Sequence, residues 1–428
     1  MLFNTLRTRL SSTWRRLLFA CAMFTLVLSH SYCFADGFST DRFKFHGFAT
    51  FGALKSGTDN LGYRRDISGE GVYDRDWSLK PDSRLGLQTN ASLTGELDAI
   101  VQLIIKDRKE NGIEESLEWA YLRYRLTSQV TVRAGRVGIE LFMLSDYRDL
   151  GFAYLWVRPP IEYYAPIAFD YLDGVDISYS APLGSGTLRM ALFAGNSDAP
   201  LDYNDDDDKL LLNNIWGLMA GWEWDNWQVR FTVASAELDD DIDKTLGLKA
   251  LTDALSTAAL NGWVDAALLS EQLNDNEEDI AYYSMGVSYD KNPWFIQTEV
   301  MYIDSAHNVL GSYFSRYLSV GFRAGETTLY TTIAKGGQAE SKKSIPIPPA
   351  PIFEPLRQTL QTFYDYNYID QKTASIGVRW DIRYDLALKS QWDRTWIEES
   401  GGLLWDQKLG PSEEETVDTY SINLNYIF

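Results

Sequence analysis

From Arg42 onward the chain alternates apolar and polar residues with a period of two, in runs of about ten residues that recur to its end. In the first run Phe43, Phe45, Gly47, Ala49 and Phe51 share one side, and Arg42, Lys44, His46 and Thr50 the other. The next sets Leu85, Leu87, Thr89 and Ala91 against Arg84, Gln88 and Asn90. It turns at Thr94-Gly95 into Leu97, Ala99, Val101, Leu103 and Ile105. Soluble strands usually end after about five or six residues, whereas a tilted strand crossing a hydrocarbon layer needs about nine to eleven. The same reading predicts strands near 116–126, 129–136, 171–181, 186–196, 214–225, 226–237, 279–290, 293–304, 313–324, 327–337, 372–384, 385–397 and 416–428, making sixteen with the first three.

The connections alternate between short and long. Thr94-Gly95, Thr127-Ser128, Pro182 to Ser185, Asp225-Asn226, Asp290 to Asn292, Gly325-Glu326 and the link at Asp385 are short, and long polar, Gly-rich or acidic segments lie between them. An even number of long strands with tight turns at one rim and long loops at the other is the pattern of an all-β, transmembrane antiparallel barrel, with periplasmic turns and extracellular loops. A soluble sandwich or propeller predicts shorter strands and no such asymmetry. Trp222, Trp224 and Trp227 flank one turn, Trp294 begins a strand, and Tyr302, Tyr313, Trp392 and Trp396 lie near outer ends, as girdles at two membrane interfaces require. In the last run Tyr420, Ile422, Leu424, Tyr426 and Phe428 oppose Ser421, Asn423 and Asn425. A strand that ends the chain here has to close on the first one, because an open edge in hydrocarbon leaves N–H and C=O groups unpaired. This terminal pattern resembles the assembly signal of Gram-negative outer-membrane barrels, read by the barrel-assembly machinery, and the chain after its leader resembles a sixteen-stranded general porin.

The leader is residues 1–35. Arg7, Arg9, Arg15 and Arg16 precede the apolar run Leu17–Leu28, and Cys33-Phe34-Ala35 supplies small residues at a cleavage site, which is the order of a secretory signal. Its removal leaves 393 residues, 36–428, with neither Cys21 nor Cys33 and a net charge of −25 in place of −21. A thiol-free chain suits an oxidising compartment. The acidic balance is opposite to what nucleic acid requires, two cysteines make no disulfide framework, and no later apolar run approaches the eighteen residues of a spanning helix.

At sixteen strands a barrel encloses water unless something plugs it. The polar parity places Arg84, Lys106, Arg123, Arg125, Arg133, Arg189, Arg230, Arg323, Arg379, Arg383 and Lys389 inward, with Asp98, Asp176, Glu223, Glu299, Asp381 and Asp393, and Arg136 ends the fifth run. The long connection 137–170 carries Glu140, Asp146, Asp149 and Glu162, together with Leu141 to Leu144 and Tyr154 to Pro160, which are too apolar for a solvated loop. The porin resemblance implies that this third outer loop folds inward as a constriction, its acids facing an arginine wall. The implied function is passive diffusion of ions and small hydrophilic solutes, without a cofactor. Inward arginines that merely pair with neighbouring acids are the alternative.

Most other acids cluster in outer loops: Asp202 and Asp205–Asp208, Glu237 to Asp243, Glu271 to Asp279, and Glu398 to Glu415. Such clusters keep loops solvated, or bind divalent cations that bridge lipopolysaccharide. Asp239, Asp241 and Asp243 lack the Gly and Glu of a calcium hand, with Lys244 and Ala250 at those positions, so no metal site is assigned. Within the insertion 238–278, Leu246, Leu248, Leu251, Leu255, Ala259, Val264, Leu268 and Leu269 predict one or two helices, and the proline-rich Ile345–Pro355 predicts a stiff extended piece. Only His46 and His307 remain as histidines after the leader, without spacing that suggests a hydrolase triad. A plugged barrel acting as an adhesin or structural protein is the other alternative. The porin resemblance also implies a homotrimer, and the small Gly47 and Ala49 face permits close packing.

Overall fold

Each alternating run becomes a strand with its apolar set turned outward. The computed structural model describes residues 39–40, 42–69, 71–73, 76–107, 113–200, 209–239, 247–274, 279–305, 307, 309–407 and 410–428. The expected leader, the run at Asp205–Asp208 and the acids at 240–243 and 275–278 lie outside them. Sixteen strands follow in order: β1 Phe43–Ser56, β2 Arg84–Ser92, β3 Leu97–Lys106, β4 Leu117–Arg125, β5 Val130–Gly138, β6 Tyr171–Leu183, β7 Gly186–Pro200, β8 Lys209–Trp224, β9 Trp227–Leu238, β10 Asp279–Lys291, β11 Trp294–Ser305, β12 Tyr313–Ala324, β13 Thr327–Gln338, β14 Ile369–Arg383, β15 Leu386–Gly402 and β16 Glu415–Ile427. Two-residue strands at Ser39–Thr40 and Trp77–Ser78 also pair with β1. Every strand is antiparallel to its sequence neighbour, and β16 pairs with β1, so the sheet closes.

Closure is completed at the last residue. The Gly47 and Phe428 backbones exchange two hydrogen bonds of 2.9 Å, which removes the free edge that hydrocarbon forbids. A Cβ at Gly47 would lie 2.3 Å from the Phe428 ring and 3.0 Å from the Gly86 carbonyl oxygen, so any side chain here displaces the terminal ring. In β16 Tyr420 and Ile422 are exposed outward while Ser421, Asn423 and Asn425 are buried inward. A belt of exposed apolar side chains runs round the wall, including Phe51, Ile105, Leu122, Leu192, Phe231, Ile333 and Ile376. So continuous an apolar surface is stable only against lipid. At the short-turn rim Trp222, Trp224, Trp227 and Tyr289 form a ladder with ring centroids 4.2 to 6.3 Å apart, and Trp294 meets Phe322 at 5.1 Å.

The apolar core lies inside the barrel. Leu141, Phe142, Leu144, Tyr154, Trp156, Tyr163 and Tyr164 of the third loop pack on Tyr282, Tyr317 and Tyr330 of the wall. Leu61 and Tyr63 from the first loop and Leu404 and Trp405 from the last join them. Tyr313 belongs to this inner core, with its hydroxyl donating to the Glu162 carbonyl at 2.6 Å, which corrects its expected place in a girdle.

A second core caps the long-loop rim. Helices α1 (Ile113–Ser116) and α2 (Ile161–Tyr164) are single turns; α3 (Leu248–Leu260), α4 (Asp265–Asn274) and α5 (Glu354–Tyr366) build the cap. Leu255, Trp263, Ala266 and Leu273 pack there with Ile345, Leu360 and Tyr364. The proline-rich piece ends sooner than its composition predicts: Pro351 opens a 3-10 turn and Pro355 sits in the first turn of α5, where a missing N–H costs nothing.

Candidate functional site: the lumen and its third loop

Residues 139–170 leave β5, cross the lumen and return to β6. An irregular loop can be buried only if its backbone finds partners, and the wall supplies them. Lys389 of β15 is fully buried, and its Nζ donates to the carbonyls of Gly151 at 2.5 Å, Tyr154 at 2.5 Å and Trp156 at 2.7 Å. Three carbonyl acceptors match the three N–H groups that an ammonium carries. Arg379 donates to the carbonyls of Phe152 and Tyr154, both at 2.8 Å. Trp156 Nε1 reaches Ser319 Oγ at 2.7 Å, and the Val157 amide reaches Gln391 Oε1 at 3.1 Å.

Ion pairs fix the loop's flanks. Glu140 accepts from Arg230 at 2.7 Å and from Arg133 at 3.4 Å. Burial would raise its pKa, but Arg230 and Arg133 outweigh burial and hold it below the ordinary range. Asp149 accepts from Arg84 and Lys106, each at 2.8 Å; here too the cations, Lys106 and Arg65 foremost, overcome burial and lower the pKa. Asp170 pairs with Lys106 at 2.5 Å and with Arg148. Arg158 spans Asp82 at 2.7 Å and Asp393 at 3.2 Å. Glu299 receives the Met143 amide at 2.9 Å and the hydroxyls of Tyr317 at 2.7 Å and Tyr164. Glu162 is wholly buried, and burial raises its pKa against hydrogen bonds from Thr373 and Gln371.

Of the residues assigned to the pore from sequence, Arg84, Lys106 and Arg133 meet loop acids, as do Glu140 and Asp149 from the loop side. Asp146 stands exposed to lumen water, and the neighbouring Glu140 carboxylate raises its pKa. Arg123 and Arg125 do not reach the loop. Both pair with Asp98 near the short-turn rim, at 2.9 and 2.6 Å. Arg323 pairs there with Asp290 at 2.5 Å and Arg383 with Asp385 at 2.9 Å, while Arg379 bridges Asp381 at 2.8 Å and the loop. Arg136 is a correction: it faces outward, opposite Ala120 and Asp173, pairs with Asp173 at 2.8 Å and stacks on Tyr171. Strand parity explains this, since Arg133 is inward and Arg136 lies an odd number of residues on.

Sequence reasoning missed Lys389 as the loop's anchor and Arg65 and Asp82 of the first loop as its partners. Lys389 had the right parity, but only the folded loop reveals its acceptors. Beside the loop lie water-accessible cavities of about 430 and 610 Å³, and Tyr147 lines both. The first also meets His46, Gln88, Trp119, Asp146 and Asp385, the second Glu223, Asp290, Arg323 and Arg379. Glu118, Asp149 and Asp170 bring carboxylate oxygens within 4.8 Å of one another beside the first cavity. Their oxygens have the chemistry to hold a cation, but Lys106 and Arg84 already occupy Asp149, and Lys106 and Arg148 occupy Asp170.

No protein-family model and no curated protein sequence matches the chain. Among solved structures it is similar to an anion-selective porin from Comamonas acidovorans, at 13% identity and a TM-score of 0.51 over 90% of this chain and 99% of that one. It is likewise similar to OmpF of Salmonella typhi in complex with daunomycin, at 9% identity and 0.53 over 90% and 97%. The outer membrane channel DcaP of Acinetobacter baumannii matches at 10% identity and 0.50 over 92% and 99%. The chain has the fold of these proteins, the closed sixteen-stranded antiparallel barrel of outer-membrane porins.

Proposed function

We propose that the chain is an outer-membrane channel for passive diffusion of ions and small hydrophilic solutes. The observation that carries this reading is the docked third loop, which crosses a sixteen-stranded lumen and leaves water-accessible cavities of about 430 and 610 Å³ beside it. A barrel of this strand number is wider than its own side chains can fill, and the loop reduces that width to something suited to small solutes. Selectivity is set where Arg84, Lys106, Arg133 and Arg230 face Glu140 and Asp149, a transverse field acting on whatever passes. Arg123, Arg125, Arg323 and Arg383 act at the short-turn mouth, each with a carboxylate neighbour.

The reading includes export through the cleaved leader, insertion by the barrel-assembly machinery acting on the terminal strand, and assembly as a homotrimer. Divalent cations at the acidic outer loops, bridging lipopolysaccharide, belong to it as well. A plugged barrel is favoured by one observation, the apolar core that the first, third and last loops build within the lumen. Conductance in planar bilayers separates the two, because a plugged barrel passes no open-channel current. Reversal potentials recorded with and without residues 246–269 assign selectivity either to the constriction or to the cap. A lipid or peptide hydrolysis assay with His46→Ala tests the remaining enzymatic alternative.

A further inference from the structure

Glu162 is the buried acid that the loop's ion pairs leave out. Its Oε1 accepts from Gln371 Nε2 at 2.9 Å and from the Thr373 hydroxyl, while Oε2 has no hydrogen-bond partner among the described residues. The residue is wholly buried and forms no ion pair among the described residues. A cavity of about 30 Å³ lies against it, between the third loop, the first loop and strands β13 to β16. A second buried orphan borders the same cavity, the hydroxyl of Tyr63. Both groups are held firmly. Tyr63 exchanges backbone hydrogen bonds of 2.8 and 2.9 Å with Val72 and meets Trp405 edge-on, ring centroids 5.3 Å apart. The Glu162 carbonyl accepts from the Tyr313 hydroxyl at 2.6 Å.

Charge and size identify the class of occupant. The guanidinium that lines the cavity, Arg158, is already shared between Asp82 at 2.7 Å and Asp393 at 3.2 Å. Asp393 lines the cavity as well and adds its negative field to that of Glu162. A buried carboxylate in such a place has to be neutralised or paired. A water supplies hydrogen bonds without the charge, and a proton supplies the charge without filling the space. A cation does both. The cavity has room for little more than one water-sized particle. Magnesium, which keeps several waters, and calcium, which takes about six to eight oxygens, do not fit. One anionic oxygen together with the hydroxyls of Tyr63, Ser375 and Thr395 along the lining suits a single positive charge.

We propose that Glu162 Oε2 and the Tyr63 hydroxyl bind a dehydrated monovalent cation of potassium's size, which ties the third loop to the first loop and to the wall. Occupation of the site does not depend on whether the lumen conducts, so conductance of the same protein tests the channel reading separately. The single turn α2 reports occupation, because the Pro160 carbonyl holds the Tyr163 and Tyr164 amides at 3.1 Å and the Ile161 carbonyl holds that of Ala165 at 3.0 Å. Amide exchange of the full mature barrel is compared at one pH in potassium chloride and in N-methylglucamine chloride of equal ionic strength, the second cation being too large for the cavity. With potassium about ten times above its dissociation constant the open population falls about tenfold, so exchange at Tyr163, Tyr164 and Ala165 should be about tenfold slower in potassium. Glu162→Gln should make exchange equal in the two salts. Tyr63→Phe, which keeps the ring against Trp405, should raise the potassium concentration needed for protection. Crystals grown with thallium(I) acetate, a heavy stand-in for potassium, should show anomalous density in the cavity beside Glu162. Equal exchange of the wild type in both salts, or no thallium beside Glu162, overturns the proposal and leaves a water or a proton there. A salt effect that survives Glu162→Gln overturns it too, by placing the ion elsewhere. Should Glu162→Gln fail to give a heat-modifiable barrel, Tyr63→Phe and the wild-type comparison carry the same test.

Discussion

Replacing Lys389 by Met should release the third loop from the wall. The Lys389 Nζ is fully buried and donates three hydrogen bonds of 2.5 to 2.7 Å to loop carbonyls. Charge-assisted hydrogen bonds contribute about 1.5–3 kcal/mol each, so the three together are worth roughly 4.5–9 kcal/mol. Methionine of similar length avoids burying a charge, which returns several kcal/mol. The net loss of docking stability is therefore about 3 kcal/mol, or roughly 150-fold in the undocked population. Amide hydrogen exchange measures that population directly, because the Val157 amide is held at 3.1 Å by Gln391 and exchanges only when the loop leaves. Exchange across residues 151–158 should accelerate about 150-fold while the strands keep their protection. Planar-bilayer records should show flicker between conductance levels. Unchanged exchange in a properly inserted variant would refute the view that Lys389 holds the loop.

Further outcomes follow from the same geometry. Arg230→Gln leaves Glu140 with only the longer Arg133 contact, so loop exchange should rise and reversal potentials should shift toward cations; equal selectivity would remove Glu140 and its partners from the constriction. Arg123→Ala with Arg125→Ala removes two cations that pair with Asp98 rather than with the loop, so it should shift ion preference less than Arg230→Gln and leave loop exchange alone. The lowered pKa values of Glu140 and Asp149 mean that their stabilisation is present above the unfolded values near 4 and is lost as pH falls through the folded ones. Exchange in the loop attributable to them should therefore hold steady from pH 7 to 5 and rise only below about pH 4. Glu162 has the opposite sign: its raised pKa gives stabilisation that is lost as pH climbs through the folded value, so Glu162→Gln should abolish an alkaline-side increase in exchange. Gly47→Val should reduce the yield of heat-modifiable barrel, since the added side chain collides with Phe428; normal yield would show that this contact is dispensable for closure.

The strands were legible because alternation over ten residues states both the element and its orientation. Phe51 outward and Leu54 inward follow from counting alone, once one face is assigned to lipid. The third loop was legible through composition, since Leu141 to Leu144 and Tyr154 to Pro160 are too apolar to remain in water. Partners were not legible, because they depend on loop paths. Asp82 meets Arg158 across 76 positions, and Lys389 meets Tyr154 across 235, and no period in the sequence encodes such pairs. The entry of the first and last loops into the lumen had a weaker signal, the short apolar groups at Leu61 and Leu403-Leu404-Trp405. Helix α5 had a recoverable one in Leu356, Leu360, Phe363 and Tyr364, obscured by the prolines before it.

Single-channel recording of the purified barrel in a planar bilayer tests the central claim most directly. A water-filled lumen narrowed by the third loop predicts discrete, ohmic current steps that scale with salt concentration, together with a reversal potential that Arg230→Gln moves toward cations. A correctly inserted barrel that never passes open-channel current would contradict the diffusion channel and leave the loops as a plug.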